Sequence, residues 1–172
     1  MGVPLGSTPI PRLYVRGKKM KWLSSIFKPS KKEPTELDRD FGEMFFDGDE
    51  VGIWQTEGSR GKNPEIGFCA IPGNDVAPFN WARAVALEKK ENAEHIWNLC
   101  LPILEKIRSE WGGFKEEESA RESFTLVSIG IDEDYQTSSH WQAGFDAKTH
   151  KHGIYATIYF TEDTIISHTC DT

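Results

Sequence analysis

The sequence predicts an α+β domain: a curved antiparallel sheet, three strands before a helical segment and four after it, with the helices packed on one face. Three observations carry this. Apolar residues alternate with polar ones in seven short runs, the period of a half-buried strand. Between Asn80 and Trp111 the period changes to that of a helix. Short turns join the strand-like runs, and consecutive strands joined that way pair antiparallel.

Phe41 to Phe46 and Val51 to Thr56 are the first two strands, separated by Asp47, Gly48, Asp49 and Glu50. Asp-Gly between apolar runs is a hairpin signal, because both residues tolerate positive φ. The same acids lack the further ligands of a calcium loop. Ile66 to Ile71 forms a third strand, reached over residues 58–64 and stopped by Pro72 and Gly73.

The helical stretch carries Ile96, Cys100, Leu104, Ile107 and Trp111 on one stripe. Glu91 and Glu94 come early and Lys106 and Arg108 late, which complements the helix dipole. Gly112 and Gly113 supply the stop. One helix over the whole stretch would run about 48 Å, too long for this domain, so two are expected, breaking at Lys89 to Asn92. Pro102 is expected to bend the second. The stripe should pack on Ile154 and Ile158 of the sheet.

The closing strands are Thr125/Val127/Ile129/Ile131, Trp141/Ala143/Phe145, Ile154 to Phe160, and Ile165 to His168. In the third of these, Tyr155, Thr157 and Tyr159 alternate with the inward set.

Charge divides the chain. Residues 1–32 hold eight of the 20 Lys and Arg and no acid, leaving twelve bases against all 27 acids in the remainder, a net of −15. Residues 1–35 therefore read as a basic, flexible leader and residues 36–172 as one acidic domain. Residues 1–19 are either native or an extension upstream of a start at Met20. From Met20 to Lys32 the chain has Trp22, Leu23, Ile26 and Phe27 on one helical face, with lysines around them. One reading is a membrane-surface tether at residues 20–32. The other, preferred because stable attachment generally takes two signals, is a tail whose Trp22 and Phe27 pack onto the domain.

No run of about 18 apolar residues is present, so no spanning helix is expected. Cys69, Cys100 and Cys170 are odd in number and far apart, which points to reduced thiols. The expected location is the cytoplasm, with the leader as the route to the inner membrane face.

Phe41 and Gly42 opening the first strand, Trp54 in the second, the mid-chain helix, and the closing strands around Phe124 to Ile129, His152-Gly153-Ile154 and Phe160 together resemble a group of bacterial domain-of-unknown-function families. In those, a Phe-Gly strand and a Trp-bearing strand precede a helix, and a closing meander reads His-Gly-Ile. Several relatives resemble immunity proteins found beside contact-dependent toxins. The likeness covers Phe41 to Ser167; the leader and the length of the helical segment lie outside it. It implies a binding role and brings no catalytic residues.

For function, nucleotide-loop, nucleophile-elbow and Cys-His signatures are all missing from the sequence. An acidic domain also repels nucleic acid, and no cofactor is expected. The first reading is a non-enzymatic, protein-binding domain, an immunity-like inhibitor of a basic partner. Its candidate contacts are Glu116, Glu117, Glu118, Asp132, Glu133 and Asp134, with Trp54 and Trp141 as binding aromatics. An alternative is a metal-dependent or hydrolase-like enzyme using His140, His150, His152 and His168, of which His150 and His152 form an i, i+2 pair. A third is a membrane-surface accessory protein tethered by residues 20–32.

Overall fold

A computed structural model describes residues 36–48, 50–56, 63, 66–132, 140–148, 150 and 152–172. The leader and its tether segment, Asp49, Glu133, Asp134 and Ser138–Ser139 lie outside them. All described residues fall within one compact unit, Glu33–Thr172.

The fold is α+β, built on an eight-stranded sheet in the order of the chain: β1 (Glu36–Asp38), β2 (Gly42–Gly48), β3 (Val51–Thr56), β4 (Phe68–Asn74), β5 (Phe124–Ile131), β6 (His140–Ala147), β7 (Tyr155–Thr161) and β8 (Thr164–Asp171). Six of the seven pairings are antiparallel, and β4 with β5 is parallel. The strand split is thus four and four, not three and four, and the sheet is mixed. Between β4 and β5 come α1 (Asn80–Glu91), α2 (Ala93–Trp111) and the short α3 (Ala120–Ser123).

The added strand is β1, three residues without an apolar pattern. It is held instead by Asp38, whose carboxylate accepts the backbone N–H groups of Asp40 and Phe41 at 2.7 and 3.0 Å and closes the turn into β2. Strand β4 runs through Pro72 rather than stopping there. The Pro72 carbonyl accepts the Phe79 N–H at 2.9 Å, so its backbone faces away from β3 and its missing N–H costs no ladder bond. Gly73 lets the Trp54 indole approach; a Cβ there would lie 2.7 Å from Trp54 Cδ1.

In β5 the inward set also changes. The register shifts between Leu126 and Ser128, leaving Val127 as a bulge. Phe124, Leu126, Ile129 and Ile131 therefore enter the core, and Thr125 and Val127 do not.

The helices break at Asn92, as the polar stretch suggested, and Pro102 sits inside α2. The proline is exposed, and so is Asn98, the residue four positions earlier, whose carbonyl receives no helical N–H from a proline. Helix α1 lies on β4 and β5 through Ala82 and Ala86, both fully buried. Helix α2 packs on β5 and α3, and its Trp97 meets Phe145 of β6 edge-on at 5.0 Å. Ile96, Cys100, Leu104 and Ile107 join the core cluster that also holds Ile154 and Ile158. The main strand partner of α2 is nonetheless β5, not β7 as the stripe suggested. Trp111 does not; it is 44% exposed at the helix end. No helix among the described residues is long and apolar enough to cross a membrane.

The stripe yields a direct test. Leu104→Ala should cost about 2–5 kcal/mol, the usual range for a buried leucine. Trp111→Ala should change stability by no more than about 0.5 kcal/mol. Urea denaturation of both variants measures the difference; equal losses would place Trp111 inside the core.

Candidate functional site

Two places on the domain concentrate polar chemistry, and helix α1 builds the first. Its buried stripe starts at Ala82 and Ala86, and one further turn brings it to Lys89 and Lys90, both buried. The aliphatic stems lie along the core while the ammonium groups reach its borders. Lys89 Nζ sits 4.8 Å from the Trp141 ring centroid and 3.3 Å from Asp163 Oδ1 in the β7–β8 turn. His95 Nε2 of α2 meets the other oxygen of that carboxylate at 3.0 Å. Hydrogen bonds from His95 and then Lys89 outweigh partial burial and hold the Asp163 carboxyl below its ordinary range.

Beside this clasp is a cleft of about 380 Å³ lined by Val85, Glu88, Lys89, Glu162, Asp163 and Thr164. An oriented imidazole becomes a general base only with a proton to take at its other nitrogen. Among the described residues no hydroxyl or thiol bonds to His95 Nδ1. The arrangement fastens both long helices to the β7–β8 turn.

Trp141 belongs to the same clasp. It is buried, stacks on Phe160 with centroids 4.0 Å apart, and donates its indole N–H to the Glu162 carbonyl at 2.6 Å. That bond holds Glu162 at φ 54°, a left-handed conformation that costs a non-glycine residue about 1 kcal/mol or more. Trp54 does the equivalent at the other end of the sheet, donating to the Asn74 carbonyl at 2.8 Å. Both tryptophans face the core and stabilise turns from inside.

Lys90 leans over the Phe41 ring at 5.4 Å and donates to the Asp40 carbonyl at 3.3 Å. About two turns earlier, Arg83 binds Asp38 through Nε at 2.8 Å and Nη2 at 2.9 Å, and Asp40 through Nη2 at 2.6 Å. Burial alone would raise the Asp38 carboxyl, but Arg83 and the Asp40 and Phe41 N–H groups prevail and lower it.

Of the four histidines, His150 and His152 lie together with ring centroids 6.0 Å apart. His140 and His168 stand on opposite faces of the sheet. His150 Nδ1 accepts the His152 backbone N–H at 3.3 Å, so its Nε2 carries the proton it donates to the Gly112 carbonyl at 2.8 Å. Both ring nitrogens are thus engaged. His140 alternates with Trp141 and faces away from the core, whereas His168 lies opposite Ile158 and faces toward it. No group of three His, Cys, Asp or Glu side chains suited to a metal occurs among the described residues.

Of the acids, Glu116 and Glu117 are exposed in the loop after α2, while Glu118 is half-buried and bonded to Lys115 at 2.8 Å. Asp132 is half-buried where β5 ends, its N–H donating to the His140 carbonyl at 3.3 Å. Burial pushes the Cys69 and Cys100 thiols up to about 12, which removes them as nucleophiles.

The second place is the sheet face opposite the helices. On β5–β8 it carries Ser128, Gly130, Gln142, Gly144, Asp146, Tyr155, Thr157 and Tyr159, the residues that alternate with the core set. The ring contacts of Trp97 with Phe145 and of Lys89 with Trp141, which join helix to strand, fall on the core side.

Asp38→Asn should lower stability at neutral pH by about 1–2 kcal/mol, since Asn keeps the turn but loses the charge-assisted bonds to Arg83. The Arg83 side chain is 29% exposed, which keeps the loss below that of a fully buried pair. Because the folded carboxyl lies below 3.8, its stabilisation is complete above that value and lost as pH falls through the folded value. Denaturation at stepped pH should show the gap between parent and variant closing in acid, and a constant gap would remove Asp38 as its source.

Compared with known protein families, curated proteins and solved structures, the chain gives no match, so the described geometry and charge carry the functional reading.

Proposed function

We propose that the domain is a non-enzymatic binding protein that covers a basic surface on another protein, the inhibitor role that its resemblance to immunity-like families implies. One observation carries this reading: the exposed charges of the described residues are mostly carboxylates, with Arg39, Lys106, Lys115, Arg121 and Lys148 as the exposed cations. Arg83 and Lys89 are taken up by Asp38, Asp40 and Asp163. Arg108 pairs with Glu105 at 3.0 Å, and Arg121 grips Glu94 while stacking on Trp97. Glu43, Asp47, Glu91, Glu116, Glu117 and Asp146 remain exposed.

Outside the leader the sequence carries a net of −15, and among the described residues exposed carboxylates outnumber exposed cations. Such a surface speeds association with positive partners and rejects negative ones. Carboxylate pairs suited to acid–base catalysis need one member in an apolar pocket. Glu116 and Glu117 stand in solvent, which suits contact and not catalysis.

The test starts from a partner recovered by cross-linking in the native host. Its contact surface should be basic, and its association rate should fall about tenfold or more from low to high salt. Neutralising Asp132, Glu133 and Asp134 together should slow association and flatten that salt dependence if this loop lies in the contact. A salt-independent rate, or a partner with an acidic contact surface, would sink the reading.

A further inference from the structure

We propose that the second face of β5–β8 is the docking surface, and that it takes a basic, amphipathic peptide segment of the partner; this rests on the partner-binding reading above. The face is laid out in rows across the strands. Ser128, Gly144, Thr157 and Thr169 lie side by side, as do Gly130, Gln142, Tyr159 and Ser167. Asp146, Tyr155 and Asp171 form the next row.

Two glycines make this surface low. A Cβ at Gly130 would lie 2.6 Å from Gln142 Nε2, so the glutamine side chain rests over the glycine. Tyr155 lies over Gly144 in the same way, its hydroxyl 2.6 Å from Ser128 Oγ. Long side chains are laid along the sheet instead of standing up from it, which leaves a flat platform of rings and amides.

Charge selects the occupant. Asp146 and Asp171 are exposed, and no Lys or Arg occupies a described second-face position on β5–β8. Tyrosine faces attract ammonium and guanidinium groups while offering apolar area. A segment with cations on some positions and aliphatic side chains on others meets both needs.

The experiment uses the full chain, ¹⁵N-labelled, titrated with a synthetic peptide alternating Lys and Leu; a Glu–Leu peptide of equal length is the control. The Lys–Leu peptide should shift the amides of Gln142, Gly144, Thr157 and Thr169. Asp146→Asn with Asp171→Asn should weaken it about tenfold, and Glu116→Gln with Glu117→Gln should leave it unchanged. Shifts confined to the loop at 116–118 would overturn the sheet face but leave the basic-partner reading intact. Equal binding of both peptides, no binding of either, or the same shifts on dilution alone, which would assign the face to a second copy, each overturns the proposal. A native partner that is not basic removes the underlying reading as well.

Discussion

The single parallel pairing, β4 against β5, is the constraint from which the rest of the architecture follows. Antiparallel neighbours can be joined by a turn, but parallel ones need a crossover of about a dozen residues or more. Every other pairing in the sheet joins consecutive strands antiparallel. All three described helices therefore fall in one connection, and the chain becomes two four-stranded meanders welded at the middle. The weld itself is short, running from Phe68–Ala70 to Ser128–Gly130. It is covered by α1, whose Ala82 and Ala86 bring the helix close to both strands.

Because α1 sits over that junction, its side chains can reach both outer parts of the sheet. Arg83 takes Asp38 and Asp40 near β1, and Lys89 takes Asp163 in the β7–β8 turn. Partly buried ion pairs add little net stability, since desolvation offsets much of the attraction. Their use here is positional: acidic turns from distant strands are each held at a defined point on one helix. Each clasp uses at least one carboxylate per cation, so the acidity of the exterior comes from the excess of acids in the sequence and not from the fastening.

Much of this was legible in the chain. The alternation in β2, β3, β6 and β7 and the stripe of α2 through Ile107 are direct readings of period, which is set by how backbone geometry aims successive side chains. Short or locally stabilised pieces were not. Strand β1 has no pattern because Asp38 and Arg83 hold it, and these lie 45 residues apart. Helix α3 did leave a signal, the Ser119 and Glu122 capping box, which the surrounding charge obscured. The bulge at Val127 has no sequence mark among β-branched neighbours. Lys89 and Lys90 were taken for a polar break, although counting on from Ala82 and Ala86 at helical spacing lands on both. Trp54 and Trp141 were candidate contacts, but their indole N–H groups find turn carbonyls inside the fold. The parallel junction was missed because alternation reports which face a residue takes, not which strand lies beside it.

The second sheet face shows what sequence alternation leaves open. Glycine in a strand interior costs conformational entropy and gives up a packing side chain. Gly130 and Gly144 stand in paired, central strands, where a small aliphatic residue would ordinarily serve better. Alanine at Gly144 would collide with the Tyr155 hydroxyl and with Ser128 Oγ. The glycine is therefore tied to keeping Tyr155 flat and bonded to Ser128. A tyrosine standing upright would break the platform and expose a ring edge. Small residues below and flat rings above form one device, and core packing on the opposite face does not require it. That independence is what the proposed docking role of this face would account for.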